Sequence, residues 1–428
     1  MNIYKHQHIQ EFIERFESRR SEVSEDVEAS VNDILRNVRF RGDNALREYA
    51  QKFDNVDLKT YPIQVAEQEL KSAHAELDPQ LLQVLRESRE NIKRFHEKGL
   101  PQSWLSWEED QVVLGQRVIP IERVGVYVPG GRAAYPSSLL MGVVPAQVAG
   151  VDEIVIVTPC DAQGNMNPTI LAAAWELGIS KVFRVGGAHA VAALAYGTET
   201  LPRVDKIVGP GNIYVATAKK PLYGQCGIDM VAGPSEVMII ADYSADSEFV
   251  AADLLAQAEH DPLASSILVT DSPELAQQTA EHVEQQTREL PRAEIIQQSI
   301  AEYGGILLTE SLDACVELSN RLAPEHLGIH TERPWELLGS IKNAGAIFLG
   351  HYSPEAVGDY WAGPNHVLPT NGSARFFSPL RTEDFLKVSS VISYSKEAIQ
   401  KHGDKIQTFA KNEGLHAHAE AIAKRKNK

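Results

Sequence analysis

Short runs rich in Val and Ile alternate with longer helix-like segments between residues 124 and 349, and this alternation restricts the fold more than any other feature. The strand-like runs are Val124–Val128, Glu153–Thr158, Lys181–Val185, Lys206–Val208, Val237–Ala241, Ser266–Thr270, Gly305–Leu308 and Gly345–Leu349. Strands that alternate with helices of about ten residues are typical of a parallel, doubly wound sheet. The loop Ala232-Gly-Pro-Ser235 separates two groups of runs, so we expect an α/β protein with two sheet domains.

Helix-like sequence lies on both sides of these runs. Apolar residues recur every three or four positions in Ile9–Arg20, Val27–Arg41 and Pro79–Lys98, which predicts amphipathic helices. The polar C-terminal part predicts two more helices, at Lys396–Ala410 and His416–Lys424. A chain of 428 residues exceeds one ordinary core, which agrees with two or three folding units.

Composition excludes several classes of protein. The chain has 58 acidic and 41 basic residues and a net charge of −17, so its surface repels nucleic acid. No apolar run reaches the length of a membrane span, and the N-terminal residues do not resemble a secretory signal. We therefore expect a cytoplasmic protein with neither nucleic acid nor membrane as partner. The three cysteines, Cys160, Cys226 and Cys315, form no Cys-x-x-Cys pair, which excludes a disulfide framework and a thiolate zinc cluster.

Glycine turns follow three of the predicted strands: Pro129-Gly-Gly131, Gly186-Gly187 and Gly209-Pro-Gly-Asn212. Glycine lets backbone NH groups approach an anion at the start of a helix, but parallel sheets also need glycine at such turns for steric reasons. Three turns at the carboxyl ends of neighbouring strands predict a ligand crevice. The Gly-x-Gly-x-x-Gly fingerprint is absent, so spacing alone leaves a dinucleotide ligand open.

Polar residues interrupt the apolar pattern at several other places. Gln257 and His260 lie three apart at the end of an apolar helix and could share an ion, although a polar helix end is an alternative. Glu325 and His326 could form an acid/base pair or lie in a surface loop after a helix. Residues 350–375 are rich in Gly, Pro, Asn and aromatics without a regular period, which is typical of loops that carry sites. Together with later polar residues, these side chains could bind a hard or borderline cation.

Seven strings, in this order, resemble the histidinol dehydrogenase family over nearly the whole chain. They are Gly125-Val-Tyr-Val-Pro-Gly-Gly131, Val208-Gly-Pro-Gly-Asn-Ile-Tyr-Val215, Gly227-Ile-Asp-Met-Val-Ala-Gly-Pro-Ser-Glu236, Gln257-Ala-Glu-His260, Ala323-Pro-Glu-His326, Gly363-Pro-Asn-His-Val-Leu-Pro-Thr370 and Glu413-Gly-Leu-His-Ala-His418. No single string identifies the family, but seven strings in this order are specific for it.

The resemblance implies a zinc-dependent enzyme that uses NAD to oxidise L-histidinol through L-histidinal to L-histidine. The zinc ligands that it implies, here called the predicted zinc set, are Gln257, His260, Asp359 and His418. It implies that His326 is the base for alcohol oxidation and that Glu325 activates water for the aldehyde step. The substrate contacts that it implies are Ser235, Gln257, His260, His326, Asp359, His366, Glu413 and His418.

The same resemblance places Tyr127, His189 and Asn212 where the family binds NAD. The family usually has Gln in the Gly-Gly-Ala-Gln string, whereas here His189 follows Gly186-Gly-Ala188. An imidazole can still hydrogen-bond a ribose or a carboxamide, so we expect altered NAD affinity rather than its loss.

The implied architecture is two incomplete Rossmann-like domains with small helical terminal segments. Residues 1–22 form the N-terminal segment, residues 23–108 with 235–381 the zinc and catalytic domain, 109–234 the NAD domain, and 382–428 the C-terminal segment. The family is a homodimer with shared active sites, so His418 would come from the partner chain. The alternatives are a related dehydrogenase of another small polar alcohol such as a sulfonated diol, a zinc hydrolase, and a non-catalytic metal-binding protein.

Overall fold

The computed structural model describes residues 1–5, 7–18, 24–130 and 135–426. In chain order its strands are β1 (Ile3–Lys5), β2 (Trp104–Trp107), β3 (Val113–Pro120), β4 (Arg123–Tyr127), β5 (Glu153–Val157), β6 (Val182–Phe183), β7 (Lys206–Val208), β8 (Gly227–Ile228), β9 (Glu236–Ala241), β10 (Ser265–Thr270), β11 (Gly305–Leu308), β12 (His326–His330), β13 (Ala346–Leu349) and β14 (Leu386–Ser393). Gly131 of the first glycine turn lies outside the described residues.

The helices are α1 (Gln7–Ser18), α2 (Glu25–Arg41), α3 (Asp43–Phe53), α4 (Glu67–Glu76), α5 (Pro79–Glu97), α6 (Pro136–Ala149), α7 (Pro168–Glu176), α8 (Gly187–Tyr196), α9 (Ile213–Leu222), α10 (Ser247–Ala258), α11 (Pro273–Thr287), α12 (Ala293–Tyr303), α13 (Leu312–Leu322), α14 (Pro334–Leu338), α15 (Glu355–Tyr360), α16 (Lys396–Asn412) and α17 (His416–Lys426). Short 3₁₀ turns lie at Glu109–Gln111, Ser373–Arg375 and Thr382–Phe385. No described helix is long and apolar enough to cross a bilayer.

Two parallel sheets form the framework and confirm the predicted α/β fold. The larger has the strand order β1-β11-β10-β9-β12-β13, and the smaller has the order β6-β5-β4-β7-β8. In β9 every residue is buried, because alternate side chains enter two different cores. Val237 and Ile239 pack into one core, while Met238 and Ile240 pack into the core on the opposite face. A sheet covered on both faces therefore explains the uninterrupted apolar sequence of this strand.

A third, antiparallel sheet has the order β14-β3-β2 and joins the C-terminal part of the chain to the middle. The terminal segments are helical, but each also supplies one strand, since β1 pairs with β11 and β14 pairs with β3. β1 is only three residues long and carries no detectable period.

Helices α2 and α3 pack against the smaller parallel sheet. Val31, Leu35 and Leu46 share a core with Val155 and Val157 of β5. The resemblance assigns residues 23–108 to the domain of the larger sheet. Helices α2 and α3 lie within this range but pack against the smaller sheet. The predicted boundary between residues 22 and 23 lies outside the described residues, and the domain limits stay a prediction.

Candidate active site and metal centre

Glu325 and His326 lie at the start of β12, beside β9 in the middle of the larger sheet. Their side chains are buried, so the alternative of a surface loop is wrong. The backbone NH of Glu236 donates to Glu325 Oε2 at 2.8 Å, and His326 Nδ1 lies 3.1 Å from the carbonyl oxygen of Glu236. The backbone NH and the backbone carbonyl of one residue of β9, Glu236, therefore hold the two side chains.

The tautomer of His326 follows from this contact. A carbonyl oxygen only accepts, so Nδ1 carries the proton and Nε2 keeps its lone pair. Burial lowers the pKa of His326 to about 3, because desolvation disfavours the imidazolium. At neutral pH the ring is thus neutral, with Nε2 available to accept a proton.

Two carboxylates of α15 lie close to His326. Glu355 and Asp359 are one helical turn apart and share a face, although the sequence predicted a loop without regular structure here. One ligand atom from each of His326, Glu355 and Asp359 lies within 4.8 Å of the others, and we call this group the β12–α15 cluster. Glu355 Oε1 lies 3.7 Å from His326 Nε2.

Crowded negative charge marks the β12–α15 cluster as a place for a cation. Burial, and then the charges of Asp359, Glu325 and Asp253, raise the pKa of Glu355 well above its usual value. Burial raises the pKa of Asp359 to about 6. Carboxylates that resist ionisation on their own become good ligands once a divalent cation offsets their charge. The site therefore fits a bound cation.

Gln257 is fully buried at the end of α10 and faces Glu355. We orient its amide with Nε2 toward the carboxylate, because the opposite orientation would place two acceptors face to face whenever Glu355 is ionised, as it is beside a bound cation. Nε2 then donates to Glu355 Oε1 at 2.6 Å and to Oε2 at 3.0 Å. His260 is not on the helix itself, since α10 ends at Ala258, but lies in the turn that follows, where its NH donates to Gln257 O.

His366 connects this site to the other sheet domain. Its Nε2 lies 3.2 Å from Ser138 Oγ of α6, and its Nδ1 lies 3.8 Å from Asp359 Oδ1. Burial lowers the pKa of His366 to about 4, and the charge of His260 lowers it further. Burial is also the main cause that lowers the pKa of His326, and the charge of His260 adds to that lowering.

Most of the predicted substrate contacts therefore converge in one chain. Ser235 directly precedes Glu236, and its carbonyl oxygen accepts from Ser265 NH at 3.0 Å. Glu413 and His418 are different, because both are exposed on the C-terminal helices. Within the described residues, neither side chain forms a hydrogen bond or ion pair with the site. One chain alone places Gln257 and Asp359 beside Glu355, and His260 lies near enough to lower the pKa of His326 and of His366.

A separate cavity of about 1010 Å³ opens beside the glycine turns, and its lining includes Tyr127, His189 and Asn212. Its volume suits a cofactor. Gly187 NH donates to Tyr127 Oη at 3.0 Å, which ties the second glycine turn to β4. A Cβ on Gly209, whose φ is +112°, would lie 2.1 Å from Tyr127 O, so only glycine allows the third turn to approach β4.

The three predicted NAD contacts differ in what they can offer a ligand. Asn212 caps α9, because its Oδ1 accepts from the NH groups of Tyr214 and Val215, and only its amide NH₂ can turn to a ligand. His189 is buried, and neither ring nitrogen has a hydrogen-bond partner among the described residues. Burial lowers its pKa to about 4, so the ring is neutral and can donate through one nitrogen and accept through the other.

Sequence reasoning missed Glu355 and Glu236. The spacing of four residues between Glu355 and Asp359 was the available signal for the first. For Glu236 no side-chain pattern could have helped, because its backbone makes the contacts with Glu325 and His326.

Comparisons with known proteins identify the family of this chain. A family model described as histidinol dehydrogenase matches residues 17–426. Histidinol dehydrogenase of Geobacillus kaustophilus is 53% identical over 405 residues, covering 95% of each chain. That of Bacillus subtilis is 52% identical over 405 residues, covering 95% of this chain and 94% of the relative.

A solved structure is also similar. The crystal structure of histidinol dehydrogenase from Elizabethkingia anophelis matches with a TM-score of 0.93 and 38% identity, covering 99% of this chain and 98% of that chain. The family model, the sequence relatives and the solved structure thus all indicate the same family over nearly the full length of the chain. The chain belongs to the histidinol dehydrogenase family.

Proposed function

We propose that this protein oxidises L-histidinol through L-histidinal to L-histidine, with two NAD⁺ as hydride acceptors, a bound zinc ion and one water. The observation that carries the proposal is the Glu325–His326 pair, which the backbone NH and carbonyl of Glu236 hold at the β12–α15 cluster. A buried acid/base pair beside a cation site provides what alcohol oxidation and aldehyde hydration require.

His326 is the base of the first oxidation. Its Nε2 accepts the hydroxyl proton of histidinol while hydride leaves the same carbon for NAD⁺, which yields the aldehyde, NADH and one proton. The contact of Nδ1 with Glu236 O supports the protonated ring after transfer, since Nδ1 still donates to that oxygen.

Glu325 acts in the second oxidation. Its carboxylate takes a proton from water as the water oxygen bonds to the aldehyde carbon, and the former carbonyl oxygen takes up a proton to complete the hydrate. The hydrate then loses a hydroxyl proton and transfers hydride to a second NAD⁺, which gives NADH and the carboxylic acid, and the acid releases one more proton to become the carboxylate product. A thioester route through cysteine has no support, because burial raises the pKa of Cys160 and Cys226 to about 11 and of Cys315 to about 12. All three thiols are protonated at neutral pH and poorly nucleophilic.

Gln257, His260 and Asp359 of one chain would hold the zinc ion, together with His418 of a second chain. When bound, zinc supplies positive charge that positions the imidazole and amine of the substrate. An amide oxygen, two imidazoles and a carboxylate are a borderline donor set that suits zinc. Tyr127, His189 and Asn212 would contact NAD in the cavity beside the glycine turns.

The exposed position of Glu413 and His418, where they are available to a partner, supports the proposal of a homodimer with shared sites. Large apolar side chains are also exposed on the antiparallel sheet and on α16, namely Trp107, Ile392 and Phe409. Such a surface is typical of a protein interface. The cytoplasmic location stays a prediction.

The test is NADH absorbance with limiting histidinol, before and after removal of zinc by a chelator. We expect about two NADH per histidinol, the stoichiometry of the four-electron reaction, and loss of activity that zinc restores. NADH from other alcohols but none from histidinol would favour the related dehydrogenase. No NADH from any alcohol would leave the zinc hydrolase and the metal-binding protein.

A further inference from the structure

The β12–α15 cluster and the predicted zinc set share only Asp359, and Glu355 belongs to the cluster alone. Glu355 is 6% exposed and lies among three other carboxylates that act on its charge, so its position requires an explanation. It could bind the cation itself, or it could serve a neighbouring ligand. The hydrogen bonds of Gln257 decide between these roles.

Both carboxylate oxygens of Glu355 accept from Gln257 Nε2, at 2.6 and 3.0 Å. His326 Nε2, at 3.7 Å from Glu355 Oε1, lies beyond hydrogen-bond distance. Because an amide is planar, its oxygen lies on the other side of Cδ from the nitrogen's partner. Glu355 thus fixes Nε2 and leaves Gln257 Oε1, the only atom of this side chain that can bind a cation, directed away from the carboxylate.

We propose that Glu355 is a positioning residue, which orients the amide of Gln257 so that Oε1 rather than Nε2 faces the zinc ion. A free glutamine amide has two orientations of similar shape, and only one presents a ligand atom. A carboxylate selects that one, because it accepts hydrogen bonds and repels the amide oxygen. Outer partners of this kind typically change metal affinity by about 10–100-fold. This inference rests on the zinc site of the proposed function.

The first experiment measures zinc affinity of the full-length protein by competition with a chromophoric chelator at neutral pH. Glu355→Leu removes both acceptors, and we expect zinc binding about 10–100-fold weaker. Glu355→Gln keeps one carbonyl acceptor, so its affinity should lie closer to that of the wild type than to that of the Leu variant. If Glu355 binds zinc directly, the Gln and Leu variants should lose affinity to a similar degree, and that result overturns the proposal.

Asp253 provides the matched control. It is a largely buried carboxylate on α10, one turn before Gln257, and its charge acts on Glu355, but it contacts His330 at 3.5 Å rather than Gln257. Asp253→Leu removes a similar nearby charge without removing the Gln257 contact. An equal loss of zinc affinity in this control and in Glu355→Leu would show that charge alone matters, and would overturn the proposal.

The second experiment exchanges the two side chains and does not depend on the folding of the Leu variant. Gln257→Glu places two carboxylates face to face, so zinc affinity should fall, although glutamate is ordinarily the stronger ligand. The double variant Gln257→Glu with Glu355→Gln again places an amide NH₂ donor opposite a carboxylate acceptor. Its zinc affinity should therefore be higher than that of Gln257→Glu alone. Absence of this recovery, or a gain of affinity in Gln257→Glu alone, contradicts the positioning role.

Failure of the proposed function gives a different result. A wild-type protein that binds no zinc overturns the zinc site and the role of Glu355 together. A wild-type protein that binds zinc, with unchanged affinity in Glu355→Leu and Gln257→Glu, overturns only the positioning role. The melting temperature of each metal-free variant is measured alongside, and a loss of zinc affinity without a change in this temperature supports positioning.

Discussion

Replacing Lys219 by Met removes the cation of a buried ion pair that holds the third glycine turn. Lys219 Nζ donates to Gly209 O at 2.5 Å and to Asp229 Oδ1 at 2.7 Å. Asp229 Oδ2 accepts from Gly209 NH at 2.7 Å, so the ion pair forms hydrogen bonds with both the backbone NH and the backbone carbonyl of this glycine. The two side chains are only 3% and 1% exposed.

The magnitude follows from that burial. Removing one partner of a buried ion pair strands the other charge, which costs about 3–5 kcal/mol. Changing Asp229 to Asn in the same chain removes the stranded charge, so the double variant should recover part of the loss. Because Asn212 ends the same turn, we also expect the KM for NAD⁺ to rise in Lys219→Met.

The assay is urea unfolding followed by circular dichroism, with Lys220→Met as the matched control. Lys220 is the next residue on α9, but its side chain is 69% exposed, and it lies 4.0 Å from an exposed Glu28. We expect the control to change stability by less than about 0.5 kcal/mol. If the unfolding free energy of Lys219→Met falls within about 1 kcal/mol of that of the control, the reasoning is refuted, because a buried charge that loses its partner should destabilise the fold by more than this.

Three further predictions concern the site and the pH dependence. Glu325→Gln should impair oxidation of histidinal more than oxidation of histidinol, measured separately with each substrate, and equal losses would contradict the division of roles. His418→Ala and Gln257→Ala should each be inactive as homodimers, whereas mixing the two should restore some activity through one intact shared site, and no recovery would argue against sharing. Burial lowers the pKa of His96 to about 4, below its unfolded value of about 6.5, so its contribution to stability is present above pH 6.5 and is lost as the pH falls toward 4. His96→Gln should therefore reduce the acid slope of the unfolding free energy by up to about 1.4 kcal/mol per pH unit, and an unchanged slope would contradict this.

The buried strands could be predicted because their sequences are continuous apolar runs. β11 was predicted at Gly305–Leu308, and β10 within one residue of its start. β12 escaped prediction because its sequence, His-Leu-Gly-Ile-His, contains two imidazoles and a glycine, and only the fold shows that all five residues are buried. Periodicity reports on burial, so a buried polar strand leaves no signal.

The site residues could be predicted from the sequence strings that resemble a known family. The spacing of polar residues alone predicted them less well. Gln257 lies on α10, whereas His260 lies in the turn that follows it and is joined to Gln257 by a backbone hydrogen bond rather than by a shared helix face. The role of Glu355 depends on how α15 meets α10, which are about a hundred residues apart in sequence. Such contacts arise only from tertiary packing, and so does the separation of His418 from the site in one chain.

The most direct test of this account is a crystal structure of the zinc-loaded protein with histidinol, in which anomalous scattering locates the metal. We predict one zinc ion per chain, bound by Gln257, His260 and Asp359 of one subunit and by His418 of the partner subunit, with Glu355 on the amide nitrogen of Gln257. Zinc bound by the β12–α15 cluster of a single chain, with His418 in solvent, would contradict the account.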